Sequence, residues 1–219
     1  MIPGSSDVLL VVDVQVDFLP GGALAVPDGD AVIAPINRLI DRFAHVVVTQ
    51  DWHPPGHVSF AASHPGRAPF ESVALPHGDQ VLWPEHCVRG TAGAALAPEL
   101  RAERAELVIR KGHQSGVDSY SAFLEADRTT PTGLAGYLRE RGFTRVVVCG
   151  LATNYCVGWS ALDARAAGFD VVVVEDAVRG IDHKGSVARA WAEMAAAGVK
   201  RVTSRMLLTD QSQKEAPPP

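Results

Sequence analysis

The sequence predicts an α/β protein: a three-layer sandwich whose central sheet is mostly parallel and doubly wound, with helices on both faces. Three observations carry that prediction. Short, almost wholly apolar runs recur along the chain, as VLLVV at 8–12, VVVT at 46–49, VVVC at 146–149 and VVVV at 171–174. Runs of this kind are what parallel strands look like when both faces are covered. Helical stretches alternate with them, and three of those stretches stop at Gly142, Gly168 and Gly198, a residue favoured just past a helix end. Strand–helix units of this length imply parallel strands joined by right-handed crossovers.

Taken in order, the first strand at 8–12 is followed by a helix over about 30–43, with Val32, Ile33, Ile36, Leu39 and Ile40 on one face. A strand at 46–49 comes next, and another at 107–109. A helix at 134–141 leads to the strand at 146–149, and a helix at 154–167 leads to the strand at 171–174. A helix at 184–197 and a short strand near Val202 finish the pattern. The segment from about 51 to 104 breaks the rhythm and holds seven of the fifteen prolines. A connection that long inside a compact domain is usually a functional loop. The expected organisation is one domain over 1–209 carrying this insertion, with a disordered polar, proline-rich tail over 210–219.

Composition narrows the function classes. A chain of 219 residues can bury roughly 70% of its unfolded surface, enough for a substantial core. The formal charge of −5 disfavours nucleic acid and anionic membrane as partners, since both attract basic surfaces. No apolar run approaches the ~20 residues that span a bilayer, and the N-terminus lacks the basic start of a signal peptide. Three scattered cysteines, Cys87, Cys149 and Cys156, do not make a disulfide framework. The expectation is a reduced, cytoplasmic protein acting on a small molecule, with a homo-oligomer left open.

Three of the strand-like runs end on reactive side chains. Residues 8–12 run into Asp13, 107–109 pass through Arg110 into Lys111, and 146–148 lead through Cys149 and Gly150 towards Cys156. Ligands of open α/β sheets bind beyond the carboxyl ends of the strands. An acid, an amine and a thiol delivered there suggest a cysteine nucleophile with proton-handling partners. Cys156 falls in the first turn of a predicted helix that Thr153 or Asn154 can cap. The helix dipole and a nearby Lys111 would then favour thiolate. Each residue alone has a plainer reading: a buried apolar-like thiol, a turn-capping Asp13, a solvated Lys111. Their joint arrival at one edge favours chemistry.

The insertion holds five of the eight histidines. Asp51 and His53 lie two apart, so an extended segment puts both on one side, and His86 can close the set. One carboxylate and two imidazoles suit Zn²⁺ or Fe²⁺, with Mn²⁺ compatible, and leave coordination positions open. His57 stands either as a fourth ligand or as a group holding a metal-bound water. His64 and His77 are expected to bond loop backbone. Cys87 is left out, because in an extended segment it points away from the side that His86 uses.

The stretches VVDVQVDFLPGGALAV, TQDWHPPGHVSF, WPEHCVRGT, KGHQSGVDSYSAF and GLATNYCVGWSALDA together resemble the nicotinamidase/pyrazinamidase family of the isochorismatase-like cysteine hydrolase superfamily. The resemblance runs from Asp13 to about Asp176. It implies an isochorismatase-like fold and deamidation of nicotinamide to nicotinate through a thioester, with activity on pyrazinamide and a place in NAD salvage. By the same resemblance Cys156 is the nucleophile, Asp13 the general base and acid, and Lys111 the cation beside both. Asp51, His53 and His86 match the metal ligands, and the position of His57 binds metal in some members. The bond between Leu151 and Ala152 matches the family's cis peptide, and the N–H groups of Ala152 and Cys156 its oxyanion hole. Phe18, Trp83 and Tyr155 would wall a flat ring. Many relatives carry Asp where this chain has Asn154, and the 59–80 tip has no clear counterpart. A metal-free relative, an isochorismatase or N-carbamoyl amide hydrolase, would keep the Asp13, Lys111 and Cys156 region without the Asp51/His53/His86 cluster. A non-catalytic flavodoxin-like module is disfavoured by the lack of a phosphate-cradling glycine motif.

Overall fold

The computed structural model describes residues 3–209, so the expected tail lies outside the described residues. Strand β1 (Asp7–Val12) is followed by helix α1 (Ile33–Arg42) and β2 (Val46–Asp51). The insertion contributes an antiparallel hairpin, β3 (Ser72–Leu75) and β4 (Gly78–Val81). Then come β5 (Leu107–Lys111), α2 (Leu134–Glu140), β6 (Arg145–Leu151), α3 (Gly158–Ala166) and β7 (Asp170–Arg179). Helix α4 (Ser186–Ala196), β8 (Lys200–Val202) and α5 (Ser204–Leu208) complete the order.

Six strands form one parallel sheet in the order β5-β2-β1-β6-β7-β8. The chain builds outward from β1 through β2 to β5, then returns to lay β6, β7 and β8 on the other side. The winding therefore reverses between β1 and β6, and that crevice is where open α/β sheets bind ligands.

The pleat divides the core. Leu9, Val11, Val48, Val147, Val172 and Val174 pack under α1 and α5 through Ile36, Leu39, Ile40 and Leu207. Val8, Leu10, Val12, Val146, Val148 and Val173 face the other way, against Leu134 and Leu138 of α2, Ala161 and Ala164 of α3, and Met194 of α4. Alternate side chains of one strand thus feed two cores. Each fully buried Val, Leu or Ile contributes about 1.5–3 kcal/mol, which is why these strands are apolar throughout.

Three expectations need correction. The run at 107–109 is not a strand covered on both faces: β5 is an edge strand, and Val108 is 45% exposed. The helix expected at 154–167 begins as a π-turn at Thr153–Val157, with Tyr155 at φ −124° and ψ −108°, before α3 starts at Gly158. The insertion is not irregular throughout, since β3 and β4 pair and Phe60 bridges to Trp83.

Candidate active site

The ends of β1, β2, β5 and β6 deliver the polar groups to the switch point. Asp13 follows β1 with φ +47°, Asp51 ends β2, Lys111 ends β5, and Cys156 lies in the π-turn after β6. A carboxylate oxygen of Asp13, one of Asp51 and the sulfur of Cys156 lie within 4.8 Å of one another. Lys111 is fully buried among them. Its Nζ lies 2.7 Å from Asp13 Oδ2 and pairs closely with Asp51 Oδ1. It also donates to Ser119 O at 3.0 Å and to Cys156 Sγ at 3.3 Å. Three distant stretches of sequence therefore meet around one ammonium.

Buried groups that the motifs left without a role hold these side chains. Thr49 Oγ1 donates to Asp13 Oδ1 and accepts from Asp13 N at 3.0 Å. Gln15 clamps Asp51 through its backbone, donating to Asp51 O at 2.9 Å and accepting from Asp51 N at 2.8 Å. Both lie within quoted runs of sequence, but only the fold brings Thr49 to Asp13.

The electrostatics differ from the expectation of a ready thiolate. Burial pushes the Cys156 thiol well above its ordinary range; Lys111 opposes this, while Asp13 and Asp51 add to it. Cys156 sits in a π-turn two residues before α3 rather than in the first turn of that helix. Burial also raises Asp13, against the pull of Lys111. Burial pulls Lys111 down, but Asp13 and Asp51 hold it well above its usual value. The resting pocket thus holds a neutral thiol beside a firmly cationic Lys111, with a carboxyl group of enhanced basicity next to it. Asn154 does not cap the turn. Its side chain donates to Ile181 O at 3.0 Å and to Ser186 Oγ at 2.8 Å, and accepts from Ile181 N at 3.2 Å, tying the π-turn to the segment entering α4.

Asp51, His53 and His86 converge. Asp51 Oδ2 is 3.7 Å from His53 Nε2 and 3.9 Å from His86 Nε2. His53 Nδ1 donates to Gly112 O at 2.9 Å and His86 Nδ1 to Pro84 O at 2.8 Å, so each ring presents its Nε2 lone pair to the carboxylate. Two ligands bonded at roughly 2.1 Å to one ion sit roughly 3–4 Å apart, so this donor set fits a divalent metal. Burial, reinforced by His53, lowers His86 to about 4 and keeps it neutral for coordination. Burial opposes charge on His53, but Asp51 raises it. Gly112 makes this packing feasible: at φ +62°, a Cβ there would lie 2.5 Å from His53 Cε1.

His57 stacks on His53 with ring centroids 4.3 Å apart but offers no free nitrogen. Its Nε2 donates to Gln114 O at 2.9 Å and Val117 O at 3.1 Å, and its Nδ1 accepts from Ser59 Oγ at 2.7 Å. His64 bonds Val58 O at 2.7 Å as expected, whereas His77 Nε2 finds no partner. Cys87 is buried in the core, yet not for the reason given: its φ is +46°, so the segment is not extended there.

A cleft opens over these groups, lined by Phe18, Trp83, Tyr155, Ala152 and Cys156 together with Asp51, His53, His86, Asp118 and Tyr120. Trp83 stands edge-on to Tyr155 at 5.0 Å between ring centroids and donates from Nε1 to Tyr120 Oη at 3.0 Å. The Leu151–Ala152 peptide is cis. Asp118 and Tyr120 lie in the run KGHQSGVDSYSAF without having been given a role. Their signal was two polar side chains shortly after a strand-end lysine, too common to single out.

The fold and site define a class: an α/β protein with a thiol, a carboxyl and an ammonium at the sheet's switch point, beside a three-residue metal cradle. The chain belongs to the isochorismatase family, whose domain model matches residues 7–206. It is 54% identical to a nicotinamidase of Acinetobacter baylyi, over 91% of this chain and 94% of that one. A structure from L. infantum solved in complex with nicotinate superposes with a TM-score of 0.84 at 42% identity, covering 96% of this chain and 99% of that one. A pyrazinamidase of Pyrococcus horikoshii solved in complex with zinc gives 0.74 at 40% identity, covering 90% and 99%.

Proposed function

We propose that this chain is a metal-dependent amidohydrolase that converts nicotinamide to nicotinate and ammonia through a cysteine thioester, serving NAD salvage, and that it also takes pyrazinamide. The observation that carries the reading is the single Lys111 ammonium shared by Asp13, Asp51 and Cys156, which joins nucleophile, base and metal cradle in one unit. The nicotinamidase and pyrazinamidase relatives and the nicotinate complex support the substrate class.

Phe18, Trp83 and Tyr155 hold the flat ring and exclude water. Asp51, His53 and His86 would hold a divalent ion, Zn²⁺ or Fe²⁺ with Mn²⁺ compatible, which would supply Lewis acidity towards the bound ring. Asp13 takes the Cys156 proton as sulfur bonds to the amide carbon, and the N–H groups of Ala152 and Cys156 receive the oxyanion. Burial favours the protonated thiol, so Asp13 must take its proton for sulfur to attack. The tetrahedral centre then expels ammonia, which leaves with the proton from Asp13, and a thioester remains. Asp13 next deprotonates a water that attacks the thioester carbon. The C–S bond breaks, and Cys156 recovers its proton from Asp13. Lys111 holds Asp13 and offsets the negative charge that passes between oxygen and sulfur. Three free cysteines with no disulfide support a reducing, cytoplasmic setting.

The test is ammonia release from nicotinamide and pyrazinamide, before chelation, after it, and on restoring each metal. Turnover lost on chelation and regained with a metal is expected. Turnover indifferent to chelation removes the metal from the reading and favours the metal-free relatives.

A further inference from the structure

Asp118 is 2% exposed and lines the cleft, yet the mechanism above gives it nothing to do. Its Oδ1 accepts from Ser119 N at 2.8 Å, and its Oδ2 accepts from Gln80 Nε2 at 2.8 Å. Both oxygens therefore act as acceptors. Lys111 is already shared by Asp13 and Asp51, and among the described residues no ion pair reaches Asp118. What faces Asp118 is the metal cradle. Ligand atoms of Asp118, His53 and His57 lie within 4.8 Å of one another. Asp118 is thus a buried carboxyl group outside the pair that shares Lys111, and a buried acidic group without a compensating partner is costly.

Gln80 is the link outward. It belongs to β4 of the insertion hairpin and is 3% exposed. Its Nε2 also donates to Val81 O at 2.7 Å and lies 3.4 Å from Tyr120 Oη, the hydroxyl that also receives Trp83 Nε1. One amide of the hairpin thus braces both the unpaired carboxylate and the aromatic wall. The neighbouring peptide joins in, because Ser119 O accepts from Lys111 Nζ.

We propose that Asp118, steered by Gln80, is a positioning residue of the metal centre: it completes the charge balance of the divalent ion and orients whatever fills the ion's open coordination positions, so that the hairpin sets metal affinity. This rests on the metal reading above. Asp118 touches neither the scissile amide nor Cys156 in this role. It acts through the ion, and the insertion hairpin serves as a brace for that ion through Gln80.

The experiment measures Zn²⁺ affinity by competition with a chromogenic chelator on stripped protein. It compares wild type, Asp118→Asn, Gln80→Ala and the double variant. Asp118→Asn should weaken Zn²⁺ binding about 10–100-fold, the usual effect of removing an outer partner of a metal site. Gln80→Ala should produce a smaller loss, and the double variant should be no worse than Asp118→Asn alone, because the two act as one unit. The Zn²⁺ concentration giving half-maximal ammonia release should rise by the same factors, a shift that a merely structural role would not produce. Should Asp118→Asn not fold, Gln80→Ala alone decides: weakened Zn²⁺ binding supports the proposal, and unchanged binding overturns it. If wild type binds Zn²⁺ and both variants bind it equally tightly, the proposal fails while the metal reading stands. If wild type itself takes up no divalent ion, both fail together.

Discussion

Asp13 shows how the residue scale works in this protein. It lies at 0% exposure with its backbone N–H and its Oδ1 both on Thr49 Oγ1. Replacing Thr49 with Val keeps the shape but strands two buried polar groups, at about 1–3 kcal/mol each. Thermal unfolding of Thr49→Val should show that loss, together with a lower kcat at unchanged chain length and fold. On the proposed mechanism Asp13→Asn removes the base, and kcat should fall by roughly 10²–10⁴-fold, the usual worth of general acid–base catalysis. The thiol supplies a pH test. Burial holds Cys156 well above the ordinary range, so its neutral form persists at pH 7. Its alkylation by iodoacetamide should keep rising with pH beyond 9. A plateau already reached at pH 7 would mean a preformed thiolate, and the proton transfer to Asp13 would be wrong. The acid, amine and thiol were legible as residues at strand ends. Their mutual electrostatics were not, because burial depends on every element packed around them.

At the scale of elements, the local sequence fixed strand and helix positions closely where packing agrees with pattern. The run 8–12 lies within β1, and 134–141 differs from α2 by a single residue. It misled where context decides. Nothing in LVI at 107–109 tells that β5 ends up with a neighbour on only one side. Nothing in TNYCV announces the π-turn that precedes the start of α3 at Gly158. The hairpin β3–β4 carries too little alternation to be read from its own residues. A glycine marks one tight junction between elements. Gly112 follows β5 at φ +62° and leaves no room for a Cβ against the His53 ring. Gly112→Ala should therefore push His53 out of line, and calorimetry should record both a lower melting temperature and a smaller gain on adding Zn²⁺. An unchanged gain would mean that His53 is not a ligand.

Across the whole molecule, the winding reversal between β1 and β6 explains why residues more than 140 positions apart, Asp13 and Cys156, work at one point. Parallel strands deliver their carboxyl ends to the same edge, and the two chains of connections leave a crevice there. This much follows from alternating apolar runs and helices. The metal cradle depends instead on the long insertion folding back, with His53 bridging to Val88, a pairing that no periodicity predicts. A ligand that binds only the folded chain stabilises it, by about 2.7 kcal/mol at 100 times its Kd. For a chain of this size that is a rise of roughly 5–10 °C in Tm, which thermal denaturation with and without Zn²⁺ should detect. The proposed thioester is trapped by acid-quenching the enzyme during turnover of nicotinamide and mapping the modified peptide by mass spectrometry. The account predicts a nicotinoyl group on Cys156 and nowhere else. Ammonia released at full rate with Cys156 unmodified, or with the acyl group on another residue, would contradict it.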